Sequence, residues 1–187
     1  MTRNLILALA LLVCPIAVGQ TITTGPVAPA EGRRAHYYPQ YDNNPARTDN
    51  NLHIQLTRDG QTIVLAPNGL EERYLWPQLS PDGKQLAYCV SGHGTYVLNL
   101  DTQQMTYIGR LHAARWFDNQ WLVAMDDHDN GYEVTSSTLV MTNAQGTVQQ
   151  AITDTTYKAT YPSVLGNRVA FTTPEGGVYE MTVKIEP

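Results

Sequence analysis

Two cysteines stand in 187 residues, Cys14 and Cys89. Cys14 falls inside an N-terminal stretch with the pattern of a secretory signal: Arg3, an apolar run over residues 5–13, then the small residues Ala17-Val18-Gly19. Cleavage after Gly19 leaves Cys89 alone, and one cysteine makes no internal disulfide. A disulfide-stapled scaffold is thereby excluded. Cys89 lies in an apolar alternating stretch, where a buried small hydrophobe is expected rather than a reactive thiol. The alternative address is a lipoprotein acylated at Cys14, with Val13 standing where such signals carry a small residue.

Long apolar runs are also missing. Residues 5–13 are too short to span a bilayer, and nothing later resembles a transmembrane segment. Positive charge is scarce: removal of Arg3 with the signal leaves 12 − 1 = 11 basic against 17 acidic residues, a formal charge of −6. Nucleic acid, whose phosphates need clustered Lys and Arg, is excluded as a partner. Docking to anionic lipid through a polybasic patch is excluded for the same reason. No Gly-x-Ser-x-Gly elbow occurs, and no Cys/His cluster has metal-ligand spacing. The acidic doublets Glu71-Glu72 and Asp126-Asp127 point to opposite faces of an extended chain, so neither forms a facing acid–base pair. Sustained helical periodicity is absent as well.

What is present is a repeated strand–turn–strand unit. Residues 76–79 read as one strand, Ser80-Pro81-Asp82-Gly83 as a tight turn, and residues 84–90 as a second strand. Ser91-Gly92-His93-Gly94 turns the chain, and glycine on both sides of His93 points to backbone geometry. Strands over residues 95–100 and 105–108 complete a four-stranded meander of about 40 residues, the size of one propeller blade. A second copy runs through residues 114–117, 121–125, 139–142 and 148–152. A third runs through 159–164, 168–172 and 178–183, one strand short. Upstream, residues 51–57 and 62–66 flank the hairpin turn Arg58-Asp59-Gly60-Gln61. The expectation is an all-β chain in three parts: a signal peptide at 1–19, a flexible leader at 20–50 with the tyrosines 37, 38 and 41, and repeats at 51–187.

Residues 76–88 (Trp-Pro-Gln-Leu-Ser-Pro-Asp-Gly-Lys-Gln-Leu-Ala-Tyr) resemble the repeat of TolB-like β-propellers. Tyr161-Pro162-Ser163 and Arg168-Val169-Ala170-Phe171 follow the same pattern with a different turn, and the copy at 115–124 is more eroded. Asp126-Asp127-His128-Asp129-Asn130-Gly131-Tyr132-Glu133, followed by Thr135-Ser136-Ser137, looks like the B–C connection of periplasmic members. The resemblance implies a small or partial β-propeller of about four four-stranded antiparallel blades, acting as a binding scaffold. Members usually have six or more blades. A closed four-bladed ring needs an N-terminal strand to complete the last blade; otherwise its edges stay open.

Within that frame the candidate binding residues lie on the B–C connections: Ser91 and His93, then Asp126, Asp127, His128, Asp129, Asn130, Tyr132 and Glu133, then Glu175. The central funnel is the other candidate surface. Asp126, His128 and Asn130 ahead of Gly131 have loosely the spacing of a calcium loop, but His128 replaces an oxygen ligand and Ser137 occupies the twelfth position. A loop satisfying its own backbone is the competing reading. Trp76, Trp116 and Trp121 follow the strand pattern and are expected between blades. The function that follows is an exported, non-enzymatic binding or scaffold module of the bacterial envelope, periplasmic or secreted, engaging another envelope protein. Two alternatives stay open: a propeller remnant of a peptidase or metal-dependent lyase, and a structural subunit that homodimerises through edge strands.

Overall fold

The computed structural model describes residues 20–30 and 44–186. The signal stretch, Cys14 and the tyrosines 37, 38 and 41 lie outside them. Sixteen strands run β1 (Thr21–Thr24), β2 (Ala28–Pro29), β3 (Ala46–Asp49), β4 (His53–Arg58), β5 (Gln61–Leu65), β6 (Tyr74–Leu79), β7 (Gln85–Val90), β8 (Gly94–Asn99), β9 (Met105–Gly109), β10 (His112–Trp116), β11 (Trp121–Asp129), β12 (Val134–Asn143), β13 (Gln149–Ala151), β14 (Thr160–Leu165), β15 (Arg168–Thr172) and β16 (Val178–Glu186). The only helical element among the described residues is a 3₁₀ turn at Thr155–Tyr157.

These strands form four antiparallel sheets in chain order: β3-β4-β5, β6-β7-β8-β9, β10-β11-β12-β13, and β14-β15-β16-β1 with β2 also on β16. Each is one blade of a small β-propeller. The fourth blade is completed from the front of the chain: Thr21 to Thr24 pair with Glu186 to Val183. The stretch expected as a flexible leader therefore contributes paired strands at Thr21–Thr24, Ala28–Pro29 and Ala46–Asp49. They are short and Thr-, Pro- or charge-bearing, so alternation does not reveal them. What makes them strands is the free edge each one meets.

The cores lie between blades rather than within one undivided sandwich. Ile54, Leu56 and Ala46 pack on Tyr74, Leu86, Tyr88 and Leu98 between blades 1 and 2. Ala87, Val97 and Ile108 meet Trp116, Leu122 and Val140 between blades 2 and 3. The largest cluster joins Trp121, Val123, Leu139 and Met141 of blade 3 to Val164, Val169, Phe171 and Met181 of blade 4, with Ile22 of the closing strand. Trp116 and Trp121 thus occupy the inter-blade positions expected of them. Cys89 is buried, and burial pushes its thiol up to about 12, so it is not a thiolate at neutral pH.

The turn of the reference repeat is held by its side chains. The Ser80 hydroxyl donates to the Asp82 carboxylate at 2.7 Å, which also accepts the Lys84 N–H at 3.1 Å. Within the turn Gly83 alone has positive φ, +71°. Asp82 serves as an acceptor instead. The Ser80 hydrogen bond holds its carboxyl below the ordinary range. The contribution is therefore full above the ordinary carboxylate pKa and is lost as pH falls through the lowered one. Gly83→Val should destabilise the domain by about 1–2 kcal/mol, because a β-branched residue is strained at that φ. An unchanged melting temperature would contradict the turn.

Candidate functional site

The inner strands β6, β10 and β14 share one irregularity. Each shifts register early, between Leu75 and Gln78, His112 and Arg115, and Thr160 and Ser163. Each shift contains a non-glycine residue at positive φ: Trp76 at 49°, Ala113 at 48° and Tyr161 at 50°. Such bulges re-aim side chains at one end of a sheet. Here the Trp76 ring lies 6.1 Å from the His112 ring and 6.4 Å from that of Tyr161. The starts of three inner strands, from three blades, therefore converge. Their other ends converge too, so the inner strands run side by side and the propeller has two distinct ends.

The B–C end carries the residues picked out from the sequence. Asp127 is the one drawn inward: its Oδ1 lies 2.6 Å from His112 Nδ1, and both side chains are largely covered. Asp126 and His128 face the other side of β11 and stand 3.8 Å apart, more exposed. His93 approaches Glu72 at 3.8 Å. Ser91 and Glu175 are exposed in their turns.

Residues 126–133 are not the long loop expected. Asp126, Asp127, His128 and Asp129 belong to β11, whose ladder with β12 continues to Asp129 and Val134. Only Asn130–Glu133 turns. Asp129 Oδ1 accepts the Gly131 N–H at 2.8 Å, and Asn130 Oδ1 accepts those of Tyr132 and Glu133 at 3.0 Å each. Asp and Asn side chains commonly satisfy turn backbone in this way. Strand alternation places Asp126 and His128 on one face and Asp127 on the other, rather than around a common centre. Among the described residues no group of three His, Cys, Asp or Glu is placed to hold a metal ion. Tyr132 projects from the tip, 97% exposed.

The A–B end holds a cavity of about 310 Å³ lined by Gln78, Leu79 and Pro81 of blade 2, Trp116 and Phe117 of blade 3, and Val164, Leu165 and Gly166 of blade 4. Its lining is mostly apolar. Trp116 Nε1–H donates to the Gln78 carbonyl at 3.0 Å, fixing the indole as one wall. Outside it, Asn119 clamps two A–B turns together, accepting the Asp82 N–H at 3.0 Å and the Gln85 side-chain amide at 3.0 Å. Sequence reasoning named the central funnel but not these residues. His112 and Tyr161 also escaped it, because a bulge breaks the alternation that would have marked them. The repeated aromatic-Pro pair at Trp76-Pro77 and Tyr161-Pro162 was the available signal.

No protein-family model and no curated protein sequence matches the chain. Solved structures similar to the chain at low identity include the following two. An oligogalacturonate lyase of Vibrio parahaemolyticus aligns at 19% identity with a TM-score of 0.46, covering 70% of this chain and 41% of the lyase. A protein of Agrobacterium tumefaciens assigned as TolB aligns at 15% identity with a TM-score of 0.48, covering 72% of this chain and 66% of that one. This chain thus spans well under half of the first and just under two thirds of the second. The four sheets, not these alignments, define the fold.

Proposed function

We propose that this protein is an exported, non-enzymatic binding module of the bacterial envelope, built on TolB-like repeats, that engages another envelope protein at the A–B end of its axis. The observation that carries the reading is the axial cavity. It is mostly apolar, walled by Trp116 and Phe117, and near the lower size limit for ligand pockets. A space of that kind suits one apolar anchor side chain of a partner, with Leu79, Pro81 and Leu165 at its rim. Anchors of this sort dominate protein–protein affinity. The first residues and the acidic balance are consistent with export and with a protein rather than nucleic-acid partner.

A second reading is favoured by the Trp76–His112–Tyr161 convergence with Asp127 beside it. In that case recognition sits at the B–C end, with the residues named from the sequence around its rim. A chelator tests the calcium expected at residues 126–133, whose side chains lie on opposite faces of β11. The test is capture from an envelope fraction with the full chain as bait, with and without a chelator. Leu165→Asp puts a charge at the cavity rim and should weaken capture by about 2 kcal/mol, on the order of 30-fold. Capture that survives Leu165→Asp but is lost with Tyr161→Ala, or with chelation, would move the site to the B–C end.

A further inference from the structure

Among the described residues, blade 1 has three strands where each of the other sheets has four or more. Its outer strand β5 is Gln61-Thr62-Ile63-Val64-Leu65, with no charge, no proline and no bulge. The other outer strands are shorter or irregularly paired. β9 meets β8 through a register shift, β13 has three residues and begins with two glutamines, and β1 is mostly threonine. An unprotected edge is a template for pairing with another chain. Both faces of β5 are open as well: Ile63 is 48% and Val64 59% exposed.

The hairpin fixes which backbone groups of β5 are available. Arg58 and Gln61 close a two-residue turn in which Asp59 and Gly60 have φ of 51° and 75°, the primed geometry of tight hairpins. Gln61, Ile63 and Leu65 therefore exchange hydrogen bonds with β4, because hydrogen-bonded and open pairs alternate. The opposite phase of β4 agrees: the Thr57 N–H turns away to the Pro45 carbonyl at 2.9 Å. The N–H and C=O groups of Thr62 and Val64 consequently point outward, and among the described residues β5 pairs with β4 alone.

We infer that a second copy of this chain occupies this edge, with β5 pairing antiparallel to its own counterpart about a two-fold axis at Ile63. In that register Thr62 of each copy faces Val64 of the other, and both outward pairs form four hydrogen bonds. Shifting the axis to Thr62 or Val64 leaves only one of the two outward positions facing its own copy. The facing side chains are Thr against Val and Ile against Ile, the β-branched pairs that sheets favour. The pairing ends with β5 at Leu65, before the turn in which the Gly69 N–H donates to the Ala66 carbonyl at 3.0 Å, and Gln61 through Leu65 bring no charge to the seam. The result is a closed isologous dimer with a continuous six-stranded sheet.

Sedimentation and light scattering of the full chain should give twice the chain mass. Val64→Lys places two charges at the seam and should return a monomer that still unfolds cooperatively, with a melting temperature that no longer rises with protein concentration. Ile63→Cys gives an independent readout. Ile63 and its counterpart form a non-hydrogen-bonded pair with Cα atoms about 4.5 Å apart, within disulfide reach. Oxidation should crosslink Ile63→Cys into a dimer, while buried Cys89 should not crosslink. A monomer at every concentration would overturn the inference. So would a dimer that Val64→Lys leaves intact and Ile63→Cys fails to crosslink.

Discussion

Replacing Ile22 with aspartate should cost most or all of the stability of the domain. Ile22 is 5% exposed and sits in the largest core, with Trp121, Met125, Val169 and Val183. Removing a buried aliphatic side chain of this size costs about 2–5 kcal/mol. Leaving an unpaired carboxylate in its place adds several kcal/mol more. Against a total stability of about 5–15 kcal/mol, that is enough to unfold the chain. The strand is tied from a second side too: the Gln150 side-chain amide donates to the Ile22 carbonyl at 3.1 Å, linking the closing strand to blade 3. The conservative change Ile22→Val should cost only about 0.5–1.5 kcal/mol. Urea melts of the two variants check the contrast. An Ile22→Asp protein that melts like the parent would mean that this strand is not part of the core.

Trp116→Ala should be the next most costly change, at about 3–5 kcal/mol. The indole fills the core between blades 2 and 3 and donates to the Gln78 carbonyl on the neighbouring inner strand. Its loss empties that core and frees a buried carbonyl. Trp116→Phe separates the two effects. It keeps most of the packing and loses the hydrogen bond, so it should cost about 1–3 kcal/mol, the penalty of leaving a buried polar group unsatisfied. Denaturant melts measure both. Equal losses for Ala and Phe would assign the whole role to the hydrogen bond.

The reference repeat was legible because each level of information agreed. Pro81, Asp82 and Gly83 marked the turn, and residues 84–90 marked a buried strand, found as Gln85–Val90. The closing strand was legible only as a requirement of ring geometry. Thr21-Ile22-Thr23-Thr24 carries one apolar residue, and its conformation is set by the edge of β16, whose paired residues lie 186 − 21 = 165 to 183 − 24 = 159 positions away. Residues 126–129 were misread as loop because they are charged. They are strand because the β11–β12 ladder continues past its apolar residues through polar pairs such as Asp127 with Ser137 and His128 with Ser136. The candidate site was half visible. Asp127 was named for its charge, but its partner His112 and the neighbouring Trp76 and Tyr161 meet through bulges that no period-2 pattern displays.

The central claim is that the two ends of the described chain join in one sheet and so complete the fourth blade. The Gly25 N–H donates to the Thr182 carbonyl at 2.8 Å, so Ile22 with Ile185 and Thr24 with Val183 are non-hydrogen-bonded pairs in the same register. Such pairs hold Cα atoms about 4.5 Å apart with their Hα protons facing. The decisive measurement is the nuclear Overhauser spectrum of the labelled protein. Strong Hα–Hα cross-peaks between Ile22 and Ile185 and between Thr24 and Val183 are predicted. Their absence, with the Ile22 region exchanging its amides at unfolded-chain rates, would contradict the claim.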